Sequence, residues 1–159
     1  MGSGNFQYKE GWNEFPEANC RCCGAHCAED PLDMFNYYGA KDTEFRLVRA
    51  EGDIHENGSD SKIACTRLFV GKRLSIEEVA AHALNYMRRY PNRSRKSFNL
   101  NGYFKILRSE EPILSGKKGE WLCYAAGDDK LIKQIGMLYV DGKNFKEDVK
   151  YDINGNERK

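Results

Sequence analysis

Ser75-Ile-Glu-Glu-Val-Ala-Ala-His-Ala-Leu-Asn-Tyr-Met-Arg-Arg-Tyr90 is the longest stretch of this chain with a clear period. Ser75 and Glu78 stand three apart, the spacing at which two side chains satisfy backbone N–H groups at a helix start. Ile76, Val79, Ala80, Ala83, Met87 and Tyr90 then recur at intervals of three and four, forming one apolar stripe. Pro91 ends the run, because its ring disfavours helical backbone in the residue before it. The chain therefore holds a helix that must bury one face against something else.

What flanks this helix reads as strand. Lys96 to Leu100 and Tyr103 to Arg108 are separated by Asn101-Gly102, a pair that supplies the left-handed residues of a tight hairpin turn. Trp121 to Ala125, Ile132 to Val140 and, more weakly, Phe145 to Tyr151 follow, with Asp141-Gly142 marking a further turn. Ahead of the helix, Phe45 to Glu51 and Ile63 to Val70 flank a loop from Gly52 to Ser61 rich in Asp, Asn, Gly and Ser. Asp30-Pro31-Leu32-Asp33 has the N-cap, first-position proline and acidic first turn of a short helix, which Gly39 closes. Strands joined by tight turns pair antiparallel. The expected fold is α+β: a mainly antiparallel sheet of about five to seven strands, with the long amphipathic helix packed on it and one short N-terminal helix.

At 159 residues the chain suits a single domain, 1–159, with an irregular Cys-rich segment over 1–28 and a polar tail over 152–159. No apolar run is long enough to span a membrane. Met1-Gly-Ser-Gly-Asn5 lacks the apolar core of a secretory signal, which points to the cytoplasm. Those same residues read equally as a remnant of expression. In that case secretion is the alternative, and the acceptor triplets Asn57-Gly-Ser and Asn92-Arg-Ser fit it.

The formal charge of +1 conceals a polarised chain, for residues 29–60 carry −6 and residues 86–108 carry +7 without a carboxylate. In the basic stretch Arg88, Arg89, Arg93, Arg95, Lys96, Lys105 and Arg108 interleave with Tyr86, Tyr90, Phe98, Tyr103 and Phe104. A polyanion needs such a field, and aromatic faces offer stacking planes to single-stranded bases. These seven cations are candidate anion-binding residues for nucleic acid or an acidic protein surface. An anionic polysaccharide or membrane headgroups present the same chemistry, and the −6 segment would allow self-association.

Cys20-Arg-Cys22-Cys23-Gly-Ala-His26-Cys27 gathers four thiols and an imidazole, with Cys65 and Cys123 further on. Soft thiolates and a histidine suit Zn²⁺, so Cys20, Cys22, Cys23, His26 and Cys27 are candidate metal ligands, with Cys65, Cys123 or His55 completing the set by folding. An even cysteine count also fits a disulfide framework. Cys65 and Cys123 sit in apolar strands and read as small core residues. A third possibility is a nucleophilic thiol, Cys27 just ahead of a helix start, with His26, His55 or His82 as base. No metalloprotease, phosphate-loop or nucleophile-elbow pattern occurs.

The leading expectation is a small non-enzymatic binding module with a structural zinc site and an anion-facing surface. The alternatives are a secreted, disulfide-stapled effector or small hydrolase, and a thiol-dependent enzyme using a cysteine of the 20–27 cluster with a histidine.

Overall fold

The computed structural model describes residues 6–56, 58 and 60–159, which fall into two compact units divided between Ser75 and Ile76. Strands make up 44% of it and helix 13%, and only one helix reaches seven residues. This overturns the α+β expectation of one sheet carrying a long helix. The molecule is mostly β and is built from three small sheets.

In the first unit β1 (Gly11–Glu14), β2 (Ala25–Ala28), β3 (Phe45–Glu56) and β4 (Lys62–Leu74) form one sheet around β4. β3 pairs antiparallel along one edge of β4, while β1 and β2 lie end to end along its other edge. β3 runs five residues beyond its expected end at Glu51, because Gly52 and Asp53 form a bulge opposite Thr66. The Thr66 hydroxyl accepts a bond from the Asp53 N–H at 2.9 Å. Gly52 is obligatory there: its φ is +79°, and a Cβ would fall 2.2 Å from Thr66 Oγ1. Ala25, Cys65, Leu68 and Val70 form the buried core, with Phe15, Cys27, Val48 and Ala50 packed around them.

The short N-terminal helix is a 3-10 turn, Pro31–Asn36, whose Asp30 cap accepts the Leu32 N–H at 2.9 Å. Its length is one reason it stays 3-10, since six residues barely allow α-type bonding to begin. It is tied to the start of β4 by Ser61, which donates its N–H to Asp33 and accepts the Asp30 N–H on its hydroxyl, both at 2.9 Å.

In the second unit α1 (Ile76–Arg89) packs on β6 (Phe104–Ser109), β8 (Trp121–Gly127) and β9 (Ile132–Tyr139). Val79, Ala80, Ala83, Leu84, Tyr86 and Met87 are its buried residues. Full burial of side chains such as Val79, Leu84 and Met87 stabilises by about 1.5–3 kcal/mol each. Tyr90 falls outside both helix and stripe and is 40% exposed. β5 (Ser97–Leu100) joins β6 through the Asn101-Gly102 turn as an antiparallel hairpin, in the sheet order β5-β6-β8-β9. β6 and β8 are parallel, while the other pairs of this sheet are antiparallel. The connection leaves the sheet through β7 (Ile113–Leu114), which pairs with β10 (Lys150–Asp152). β10 also pairs with β11 (Glu157–Arg158), so part of the expected polar tail is strand. Leu122, Tyr124, Val140 and Tyr151 form the core between these sheets.

Candidate functional site

Two regions gather chemistry-bearing side chains, one in each unit. In the first, residues 19–27 form a tight turn followed by β2. Asn19 donates its N–H to Cys23 O at 2.9 Å, and its own carbonyl accepts the Cys22 and Cys23 N–H groups at 3.1 Å. Gly24 then turns the chain down onto β4, with φ +89° and a Cβ position 3.0 Å from Ala18 Cα, Cys65 O and Glu17 O. No other residue fits without moving backbone.

The cysteines divide accordingly, and all six are free thiols. Cys20 is buried, its Sγ 2.7 Å from His55 O and its backbone N–H donating to His55 Nδ1 at 3.2 Å. Cys22 is exposed and Cys23 half-buried, with their sulfurs 3.2 Å apart. Cys27 is half-buried on β2, opposite Ile63. His26, the next residue back on the strand, pairs with Ala64 and gives its backbone N–H to the Tyr8 hydroxyl at 3.2 Å. Successive strand residues point to opposite faces, so His26 and Cys27 diverge. Among the described residues no three His, Cys, Asp or Glu side chains lie close enough to hold a metal ion. Cys20, Cys22, Cys23, His26 and Cys27 are therefore neighbours in sequence that do not gather into one ligand set.

The surroundings of Cys27 favour its neutral thiol. Burial pushes its thiol up to about 12, with Cys65, Glu29 and Cys20 adding in the same direction. The element that follows is a 3-10 turn of six residues, too short for an α-helical dipole. Cys65 and Cys123 are fully buried, and burial pushes Cys123 up to about 12 as well. A shallow hollow of about 240 Å³ lies in this unit, lined by Gln7, Tyr8, Glu10, Glu44, Arg46 and Val70. Its one cation is already occupied: Arg46 pairs with Glu10 and Glu44 and donates to Gly71 O at 3.1 Å.

In the second unit the seven expected anion-binding cations also divide. Arg108 is 6% exposed. Its guanidinium donates to Pro91 O, to Ser94 Oγ at 3.2 Å and to Asp129 Oδ1 at 2.8 Å. It is an internal clamp that fixes the loop after α1 to β6 and to the β8–β9 turn. Lys105 is likewise committed, 3.3 Å from Glu120 Oε2 and 3.1 Å from Ser115 O. Glu120 is itself buried. Burial alone would raise its carboxyl, yet the Lys117 and Gly102 N–H groups and the Lys105 ammonium outweigh this and hold it below the usual range. Arg108 and Lys105 thus both have partners inside the protein.

Arg88 and Arg89 are exposed in the last turn of α1. The Arg93 guanidinium sits over the Tyr90 ring and that of Arg95 over the Phe98 ring, each 5.5 Å from the centroid. Lys96 is exposed, 3.7 Å from Asp129 Oδ2. The missed anchor had a readable signal. Phe104, Ile106 and Arg108 alternate along β6, and the same face buries all three.

Of the two glycosylation triplets, Asn92 is exposed, whereas Asn57 and Ser59 lie outside the described residues. Among the described residues no helix is long and apolar enough to cross a membrane. No curated protein and no solved structure matches the chain. Residues 1–82, which include the whole first unit and the first half of α1, match the family model described as Domain of unknown function (DUF7666), and the chain belongs to that family.

Proposed function

We propose that this chain is a small non-enzymatic binding module that holds a polyanion, foremost a single-stranded nucleic acid, on Arg88, Arg89, Arg93, Arg95 and Lys96. The observation that carries this reading is the Arg108 clamp. A buried guanidinium bonded to Pro91 O and Ser94 Oγ orders the loop that presents Arg93, Arg95 and Lys96, next to Arg88 and Arg89 at the end of α1, before any ligand arrives. Ordering in advance removes an entropy cost that binding would otherwise bear. The pairing of Arg93 with Tyr90 and of Arg95 with Phe98 adds planar groups to the field, and bases stack on aromatic and guanidinium planes.

The test is a titration of the full chain with a fluorescent single-stranded oligonucleotide at rising salt. If all five cations meet phosphates, log Kd against log salt has a slope of about 3.5, at about 0.7 per contact. The double substitution Arg93→Ala and Arg95→Ala lowers that slope by about 1.4. Absence of binding at low salt, or an unchanged slope in the double variant, contradicts the proposal. Binding to polyglutamate but not to the oligonucleotide would reassign the surface to an acidic protein.

A further inference from the structure

Cys22 and Cys23 differ from the other four thiols in both exposure and company. Cys20, Cys65 and Cys123 are buried, and Cys27 is half-buried beside the core of the first unit. Of the six cysteines only Cys22 is exposed, and its sulfur lies 3.2 Å from that of Cys23. The turn that presents them is held on both sides, by the Asn19–Cys23 backbone bonds and by the packing of Gly24 against Cys65 O. Arg21 N–H donates to Asn19 Oδ1 at 2.9 Å, which fixes the residue just before the pair.

We propose that Cys22 and Cys23 are a redox-active vicinal dithiol, oxidised to an intrachain disulfide by exchange with a small-molecule disulfide and reduced again by small thiols. The Cys22 thiolate attacks one sulfur of the small disulfide, whose S–S bond breaks and releases the first small thiol. Cys23 then attacks the mixed disulfide on Cys22, closing the intrachain bond and releasing the second small thiol. In sum, two protons and two electrons pass from the pair to the small disulfide.

The order of attack follows from exposure: Cys22 is exposed and Cys23 half-buried, so the small disulfide meets the Cys22 sulfur first. The hydrogen bond with Cys22 also raises the Cys23 thiol, which favours its neutral form while the two sulfurs are in contact. Once Cys22 carries the adduct, the Cys23 sulfur beside it is placed for the second step.

Neighbouring Cα atoms lie about 3.8 Å apart across a trans peptide, closer than the roughly 4.4–6.8 Å of ordinary disulfides. Closing the bond strains the turn whose N–H groups meet Asn19 O. Strained, exposed disulfides are the readily reduced ones. The pair is thus suited to a reversible switch and not to a permanent staple.

Oxidised glutathione is the probe. The reduced full chain is incubated with it and digested with trypsin without reductant, which cuts after Arg21 and places Cys22, Cys23 and Cys27 on the peptide 22–41. The expected product is that peptide lighter by two hydrogens, free of glutathione and linked between Cys22 and Cys23. The variant Cys23→Ser should instead stop at a glutathione adduct on Cys22. A wild-type chain that stops at an adduct, links either residue to Cys20 or Cys27, or fails to react overturns the proposal.

Discussion

The cysteine turn of the first unit and the basic segment of the second pose the same structural problem, and comparison shows a common solution. Each begins as a run of one residue type that invites a single collective role. In each, the chain takes one member inside and leaves others at the surface. Cys20 is 4% exposed and holds His55 through backbone and sulfur, while Cys22 two residues later faces solvent. Arg108 is 6% exposed and holds the loop that carries Arg93 and Arg95 outward. A cluster read along the chain is therefore two populations: an anchor that shapes the backbone and a remainder that the anchor presents. The two populations should respond oppositely to substitution.

The sharpest way to break that division is Arg108→Ala. It removes a charged donor from three acceptors and leaves Pro91 O and Ser94 Oγ without it in the interior. A loss of about 3 kcal/mol is expected in urea unfolding, whereas a surface substitution such as Arg93→Ala should stay within about 0.5 kcal/mol. Equal losses would erase the distinction between clamp and surface cation.

A smaller effect is expected at the other buried anchor of the second unit. Glu120→Gln deprives the Gly102 or Lys117 N–H of its carboxylate acceptor, at a cost of about 1–2 kcal/mol near neutral pH. The folded carboxyl titrates below its unfolded value, so its stabilisation is complete above about pH 4.3 and is lost as pH falls through the folded pKa. Stability curves of wild type and Glu120→Gln should therefore converge in acid. A gap that stays constant into strong acid would mean that the charge of Glu120 contributes nothing.

The division also explains what could be read from residue order. α1 and the β5–β6 hairpin were legible because their signals are local: a capping pair, a stripe and an Asn-Gly turn. β1 and β2 were not, because each is four residues long and becomes a strand only by pairing with β4, 34 to 59 positions away. The parallel pairing of β6 with β8 depends on a detour through β7, two residues that look like loop. Asp30 was correctly placed as a cap, but the run it caps is too short to become an α-helix. At the candidate sites, residue types were visible and their facing was not. The period-two alternation through Phe104, Ile106 and Arg108 would have revealed the clamp, whereas nothing local to residues 20–27 foretells that Cys20 turns in toward His55.

The most direct measurement of this account is a residue-resolved alkylation time course on the native, reduced chain with N-ethylmaleimide. Rapid labelling of Cys22 is expected, with Cys20, Cys65 and Cys123 protected until the protein is unfolded in urea. Labelling of Cys20 at the rate of Cys22 under native conditions would contradict it, because the cluster would then be a single exposed population without an anchor.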